Sequence, residues 1–209
     1  MIFELNTYFL KPAATGNFES RFEKLLPDFS GHLNLLASWH TEIGPLNRVI
    51  QVCSYKDLKH RTEDKKALAK NALWRDLVGS QGPVLKKGSE VVLPAPFMKP
   101  LSGRDFGKGN IYEIRIYTIQ PGTMAEVLQA WTTAMPWREK FSPMAAWWYS
   151  ESPRGDKFIQ VWPYKDLSER DRVHLELARN PLGPPHPYRN SLLTQDIWIL
   201  APSSFSPVK

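Results

Sequence analysis

The sequence predicts an α+β fold: two tandem ferredoxin-like domains, each with the order βαββαβ, that form an intramolecular pseudo-dimeric α/β barrel. The first observation is an internal repeat, because residues 39–61 recur at 148–170 with ten of 23 positions identical. A repeat at this offset is a whole small domain rather than a solenoid unit. The second observation is that both halves have the same order of strand and helix patterns. Four strands from each half give eight, enough to close a barrel.

The spacing of apolar residues defines the first strand and the first helix. Residues 2–10 alternate between two faces, which is typical of a strand, and Pro12 ends it because proline cannot donate to a sheet ladder. Residues 16–26 place apolar side chains at helical spacing and predict an amphipathic helix that stops near Pro27.

A β-hairpin follows in the first half. Residues 33–42 and 48–55 have strand patterns, and the Gly- and Pro-containing turn 44–47 joins them. Asp57 is the predicted cap of the next helix, which runs to about residue 70, because its carboxylate can accept an early backbone N–H. The half ends with a short helix and a last strand, predicted over 72–79 and 86–96.

The second half repeats this order after a segment rich in Gly, Pro and charged residues. The predicted boundaries are 1–97 for the first domain, 98–110 for the linker and 111–209 for the second domain. Strands are predicted over 111–119, 141–151, 157–164 and 196–202. Helices are predicted over 123–135, where Pro136 is expected to end the helix, and over 167–179, where Asp166 is the cap.

Charge and hydropathy limit the partners. The net charge is +6 and the pI is about 9.4, a balance that favours anionic ligands. Lysine and arginine are interspersed rather than grouped, so no nucleic-acid partner is expected. No apolar run approaches the roughly 18 residues of a membrane span, so no integral membrane segment is expected.

The sequence also predicts a reducing, cytoplasmic compartment. Cys53 is the only cysteine, which excludes a disulfide within the chain, and its apolar strand pattern indicates a small buried hydrophobe. The first strand begins at Ile2, which leaves no room before it for a signal or transit peptide. A homo-oligomer is a further candidate arrangement.

Four short motifs recur at corresponding places in a known family. They are Glu42-x-Gly44-Pro45-Leu46-Asn47-Arg48-Val49; Tyr112-Glu113-x-Arg115-x-Tyr117 with Pro121-Gly122; Ser142-Pro143 before Trp147-Trp148-Tyr149; and Ser204-Phe205-Ser206-Pro207. Together they resemble the NIPSNAP family across nearly the whole chain. The resemblance implies a tandem dimeric α/β-barrel fold and no agreed enzymatic activity. Animal members are associated with mitochondria and with protein interactions, which implies a protein partner as one candidate.

The two halves are not expected to have equivalent pockets. The second hairpin, residues 152–158, departs from the family's usual turn, and Asn6 stands where the second half has Arg115. No phosphate loop, zinc-spaced Cys/His set or nucleophile elbow is present. We therefore predict no metal and no cofactor, and we assign no catalytic residue.

Seven residues are candidates for binding a small apolar or anionic ligand: Tyr8, Trp39, His40, Arg115, Tyr117, Trp148 and Tyr149. Arg115 can clamp an anion or a carbonyl group through its rigid donor fork, or it can simply pair a carboxylate such as Glu113. The aromatic residues can line an apolar pocket for a planar ligand, or they can be core.

Other polar residues have a structural and a functional interpretation too. Arg138, Glu139 and Lys140 follow Pro136, and we expect a solvated charged turn there, with a basic group at a pocket mouth as the alternative. His174 lies one helical turn from Arg170 and is a lone titrating candidate, with an exposed helix histidine as the simpler interpretation.

Two functions remain open at this point. The first is a non-catalytic small-ligand-binding or protein-interaction barrel. The second is a small-molecule enzyme, a cofactor-independent or haem-related monooxygenase or an isomerase, by analogy with related barrels. In that case Arg115, His40 and Tyr149 are the candidate donors or bases. A closed pocket of about 300 Å³ with convergent polar groups would favour a ligand or an enzyme.

Overall fold

The computed structural model describes residues 1–29, 31, 33–101, 104, 106, 111–151, 156–180 and 190–209. They form two compact units: unit 1 comprises residues 1–92 and 201–208, and unit 2 comprises residues 93–200 and 209. Residues 201–208 therefore belong to unit 1, although they follow most of unit 2 in sequence. Part of the predicted linker lies outside the described residues, so the domain boundaries stay a prediction.

The predicted order of elements is confirmed in both halves. The first half contains β1 Ile2–Leu10, α1 Thr15–Leu25, a 3-10 turn at Leu26–Phe29, β2 Leu35–Ile43, β3 Arg48–Tyr55, α2 Leu58–Lys70, α3 Ala72–Val78 and β4 Val84–Pro94. The second half contains β5 Ile111–Ile119, α4 Met124–Arg138, β6 Ala146–Ser150, β7 Asp156–Tyr164, α5 Leu167–Arg179 and β8 Leu192–Pro202. In the described part of the chain, no helix is long and apolar enough to cross a membrane.

The strands of each unit pair in antiparallel fashion. In unit 1, β3 lies between β1 and β2, and β1 also pairs with β4; in unit 2, β7 lies between β5 and β6, and β5 also pairs with β8. The predicted α+β class with two tandem βαββαβ halves is confirmed. Within the units, β1 pairs with β3 and β5 pairs with β7 in equivalent registers, so that Glu4 lies opposite Cys53 and Glu113 lies opposite Trp162. Equivalent registers place equivalent side chains on the same face, because successive strand residues alternate between faces.

Both predicted helix caps are present. The Asp57 carboxylate accepts the His60 backbone N–H at 2.9 Å, and the Asp166 carboxylate accepts the Glu169 backbone N–H at 2.8 Å. Each cap satisfies one of the backbone donors that a helix start leaves unpaired. The two helices therefore begin at equivalent points, which fixes which of their residues face the sheet.

The predicted end of α4 at Pro136 is wrong. The helix continues to Arg138, and the Glu139 backbone N–H donates to the Met135 carbonyl at 2.9 Å. Proline removes only its own N–H from the ladder, so the next donors can still complete the last turn. The extra turn brings Arg138 onto the buried face of α4, which matters for the site described below.

An aromatic core joins the helices of unit 1 to its sheet. Tyr8 on β1 is tilted against Phe18 at a ring distance of 4.8 Å, and Phe22 stacks on Phe205 at 5.5 Å. Phe22 is 2% exposed, whereas Leu85 on β4 is 64% exposed. The Phe22–Phe205 contact attaches the end of the chain to α1.

We expect Phe22→Ala to lower the free energy of unfolding by about 3–5 kcal/mol, because it removes a buried ring and leaves a cavity. Leu85→Ala is the control and should change stability by less than about 0.5 kcal/mol, because that side chain is already in water. Urea denaturation of both variants provides the measurement. Equal effects from the two substitutions would contradict this placement of the core.

Candidate functional site

Each unit has a carboxylate on its first strand that is fully shielded from water by the side chains around it. Glu4 on β1 and Glu113 on β5 have no exposed side-chain surface. Their partners come from the helix after the hairpin: the cations Arg61 and Lys65 on α2, and the cation Arg170 with the imidazole of His174 on α5. A spacing of four residues places both partners on the same helical face.

In unit 2, Glu113 forms ion pairs with Arg115 and Arg170. His174 Nε2 lies 3.5 Å from Glu113 Oε1. Burial by itself would raise the pKa of Glu113, but hydrogen bonding with His174 and the charge of Arg115 lower this pKa to about 2. The carboxylate is therefore ionised at neutral pH, and the expected pairing of Arg115 with Glu113 is confirmed.

The Arg115 guanidinium already has a partner for each of its nitrogens. Its Nε donates to Glu113, its Nη1 donates to the Tyr117 hydroxyl at 3.1 Å, and its Nη2 lies 3.2 Å from His174 Nε2. Arg115 is thus held in one orientation by β5 and α5. In this geometry Arg115 holds the side chains of Glu113 and His174 in place.

Arg138, at the end of α4, is a buried arginine of a different kind. It is 6% exposed, its Nη1 donates to Ser142 Oγ at 2.9 Å, and its Nη2 donates to the Tyr164 hydroxyl at 3.4 Å. Its guanidinium carbon lies 3.8 Å from the centroid of the Trp162 ring. Among the described residues, no carboxylate lies within ion-pair distance of it. Burial lowers the pKa of Arg138.

The expectation of a solvated turn at Arg138 is therefore wrong. The buried residues of α4 are Met124, Val127, Trp131, Met135 and Arg138. Their spacing is that of one helical face, so the apolar stripe of the sequence continues directly into the arginine. That continuation is the signal that would have identified Arg138, had Pro136 not been taken as the end of the helix.

These side chains form the unit 2 polar cluster, defined as Glu113, Arg115, Arg138, Tyr164, Arg170 and His174. It contains three guanidinium groups and one carboxylate, so it has an excess of positive charge. The side chain of His174 is 28% exposed, which makes the cluster accessible to solvent on one side.

In unit 1, Glu4 pairs with Arg61 at 2.6 Å and with Lys65, and it accepts the Tyr55 hydroxyl at 3.1 Å. Burial would raise the pKa of Glu4, but hydrogen bonds from Lys65, Ser89 and Arg61 lower it to about 2. The ion-pair arrangement of unit 2 is thus repeated.

Two positions distinguish unit 1 from unit 2. Asn6 stands at the position of Arg115, and Phe29 stands at the position of Arg138. The cavity beside Glu4 has a volume of about 10 Å³, which is the space of one water molecule. Unit 1 therefore lacks both extra arginines and has no room at this cavity for an organic ligand.

His40 on β2 lies between two carboxylates. Its Nδ1 is 2.9 Å from Glu19 of α1, and its Nε2 is 3.0 Å from Glu42. Glu19 also accepts the Ser203 hydroxyl at 2.6 Å. Hydrogen bonding to Glu19 raises the pKa of His40. His40 thus helps to attach the end of the chain to α1 and β2.

The structure brings together only some of the seven predicted ligand-binding residues. Arg115 and Tyr117 are hydrogen-bonded neighbours in unit 2. Tyr8 belongs to the aromatic core of unit 1, and His40 belongs to the Glu19 ion pair. The other three differ in their exposure to solvent. Trp39 and Trp148 are fully buried, and Tyr149 is partly buried. A ligand-binding role for these residues stays a prediction.

Comparisons with known proteins agree with this fold. The NIPSNAP family model matches residues 3–99 and 112–207. A NipSnap homolog of Dictyostelium discoideum is 28% identical over 186 residues, which cover 87% of this chain and 77% of that protein. NipSnap homolog 3A of Homo sapiens is 26% identical over 216 residues, which cover 100% of this chain and 86% of that protein.

A solved structure is also similar to this chain. It is a candidate monooxygenase from Fusobacterium nucleatum, with a TM-score of 0.68 and 10% identity, and the match covers 97% of this chain and 92% of that chain. At this identity the likeness shows the fold alone. Any chemistry of the site therefore has to be argued from the residues of this chain.

We expect Glu113→Gln to destabilise the protein by about 3–5 kcal/mol, because it leaves buried cations without their anion. Arg115→Met should cost only about 1.5–3 kcal/mol, because Glu113 keeps Arg170 as a partner. Urea denaturation can measure both effects, with Arg172→Met on the exposed side of α5 as the control. A larger loss in Arg115→Met than in Glu113→Gln would contradict the shared ion pair.

The His40 contact predicts a dependence of stability on pH. Because the pKa of His40 is raised above its ordinary value of 6.5, its stabilising effect is complete below pH 6.5. The effect is lost as the pH rises through the higher pKa of the folded state. The wild type should therefore exceed His40→Gln in stability most clearly at about pH 6, and the difference should shrink in alkali. Melting temperatures across this range would refute the assignment if the difference stayed constant.

Proposed function

This chain belongs to the NIPSNAP family, and from that premise we propose that it is a non-catalytic protein that binds a small anionic ligand at the unit 2 polar cluster. The ligand class is a carboxylate or a phosphate-type anion. Arg138 contacts the anion, and Ser142 and Tyr164, which now accept from Arg138, provide hydroxyl groups beside it.

The observation that carries this proposal is the charge of Arg138. The guanidinium is 6% exposed, and no carboxylate of the described residues pairs with it. Removing an ion from water without a partner costs several kcal/mol, so such a group is expected where a ligand provides the missing charge. The planar fork of arginine matches the two oxygens of a carboxylate or phosphate.

The surroundings of Arg138 support an anion rather than a neutral ligand. Arg115 and Arg170 share the single carboxylate Glu113. The cluster therefore keeps a net positive charge even after one singly charged anion binds. The overall charge of +6 favours the approach of anions as well. The partly exposed His174 offers a route from solvent.

The enzyme hypothesis has less support from the geometry. The cavity of unit 1 has about 10 Å³ and lies far below the roughly 300 Å³ expected of a small-molecule site. The hollow beside Ala125 and Thr133 on α4 is open to solvent and is not an enclosed pocket. The candidate monooxygenase has a similar fold, but this likeness does not indicate that the present chain catalyses the same reaction. Turnover of a bound anion would nonetheless favour this second hypothesis.

We expect an organic carboxylate, tested as benzoate, or inorganic phosphate to raise the melting temperature of the wild-type protein. A ligand at 100 times its Kd adds about 2.7 kcal/mol of stability. The effect should disappear in Arg138→Met and persist in Arg179→Met, an exposed arginine on α5 that changes the net charge equally. Chloride at matched ionic strength controls for screening. Equal responses of both variants would overturn the proposal.

The Arg138→Met variant also has to be folded for that comparison. In buffer without added anions we expect its stability to be unchanged or raised by up to about 4 kcal/mol, because it removes an unpaired buried charge. A loss of more than about 2 kcal/mol would show that Arg138 also stabilises the fold. In that case Arg138→Lys, which keeps the charge and loses the fork, becomes the variant for titration.

We also propose a cytoplasmic location and a homo-oligomeric state. The single thiol, Cys53, is buried, which suits a reducing compartment. Leu93 on β4 and Leu193 on β8 expose apolar surface that a second copy of the chain could cover. Sedimentation velocity over a range of protein concentrations tests the second point, and a monomer at all concentrations would refute it.

A further inference from the structure

Lys87 on β4 has surroundings unlike those of a surface lysine. It lines the small cavity of unit 1 together with Glu4, Tyr8, Lys65 and Trp74. Its Nζ lies 5.2 Å from the centroid of the Tyr8 ring and 5.0 Å from the centroid of the Trp74 ring. The amine is therefore held over two aromatic faces at the side of an enclosed space.

The side-chain amine of Lys87 forms no ion pair and no hydrogen bond with any described residue. The carboxylate of the cavity, Glu4, is already bound by Arg61, Lys65 and Ser89. Burial and the charge of Lys65 lower the pKa of Lys87 to about 8. About a tenth of its amine is consequently neutral at pH 7, and the neutral amine is the nucleophilic form.

The size of the cavity limits what this amine can react with. A volume of about 10 Å³ is the space of about one water molecule, so only the smallest electrophiles can approach the amine at this cavity. Carbon dioxide is a small, electrophilic and apolar molecule that suits an aromatic lining. Cys53 lines the same cavity, but burial raises its pKa to about 12, so it remains a thiol and does not compete as a nucleophile.

We propose that Lys87 is a site of reversible carbamylation by carbon dioxide. The lone pair of Nζ forms a bond to the carbon, and the π electron pair of one C=O bond moves to its oxygen. One proton leaves the nitrogen for solvent, and no atom changes its oxidation state. The product is a carbamate with one N–H donor and two anionic oxygens.

The cavity has partners for both ends of this product. Asn6 lines the cavity, is 3% exposed, and its Oδ1 has no hydrogen bond from any described residue, so it can accept the carbamate N–H. The Lys65 ammonium can pair with the carbamate oxygens. With Glu4, Lys65 and Arg61, the modified site would contain two anions and two cations, which removes the excess positive charge.

The second unit lacks this site. Lys87 lies opposite Tyr8 in the β1–β4 pair, and the residue opposite the equivalent Tyr117 in the β5–β8 pair is Gln195. Glutamine has no nucleophilic amine. The proposed modification is thus specific to unit 1 and is independent of anion binding at unit 2.

The test traps the carbamate on the full-length wild-type protein. The protein is equilibrated with ¹³C-bicarbonate at about pH 8, close to the pKa of Lys87, where a large share of the amine is neutral. Triethyloxonium then converts carbamates to stable esters, and peptide mass spectrometry locates them. We expect the label at Lys87 to exceed that at Lys86, its exposed neighbour on β4, at least roughly tenfold, because the lowered pKa of Lys87 leaves a large share of its amine neutral at this pH.

Variants identify the partners. Lys87→Arg should lose the label, whereas Lys86→Arg should keep it. Asn6→Leu should lower the labelled fraction several-fold while the melting temperature shows that the protein is folded. Equal labelling of Lys86 and Lys87 in the wild type would overturn the proposal, and this result does not depend on the folding of any variant. Unchanged labelling of Asn6→Leu would exclude Asn6 as the acceptor and overturn that part of it.

Discussion

A buried carboxylate on the first strand of each unit is the constraint on which the local structure depends. Glu4 and Glu113 have no exposed side-chain surface, and each stays ionised because cations from the helix after the hairpin reach it. An ion that is both desolvated and paired is strongly destabilised if one partner is removed. The pairs therefore hold α2 to β1 and α5 to β5 in one register, which the aspartate caps reinforce.

The duplicated frame lets the two units differ without a change of fold. Around each conserved ion pair the side chains have diverged: Asn6 corresponds to Arg115, Phe29 to Arg138, and Cys53 to Trp162. Unit 2 contains the buried guanidinium group of Arg138, and unit 1 contains a small cavity lined by Lys87. The same backbone thus carries a buried arginine without a carboxylate partner in one half and a lysine beside a small cavity in the other. Fold and function are separate questions here, as in other widely used folds.

Much of the fold and part of the site could be predicted from the sequence. The repeat, the strand alternation and the positions of Asp57 and Asp166 predicted the element order and both caps correctly, because these features depend on local spacing and local hydrogen bonds. Pairing of Arg115 with Glu113 was also predictable, since residues two apart on a strand share a face. The contact of His40 with Glu19 on α1 was not predicted, because sequence spacing does not contain it, and a ligand-binding role for His40 stays a prediction.

What the sequence alone determined is therefore the order of elements, the duplication and the family. Only the tertiary structure decided which charged groups are buried and which of them have a partner of opposite charge. Arg138 follows a proline in a polar stretch and resembles a surface residue, yet the last turn of α4 buries it against Trp162. Lys87 resembles Lys86 beside it, yet one points to Tyr8 and Trp74 and the other is exposed. Burial and pairing involve residues far apart in the chain, and for that physical reason they appear only when the chain is folded.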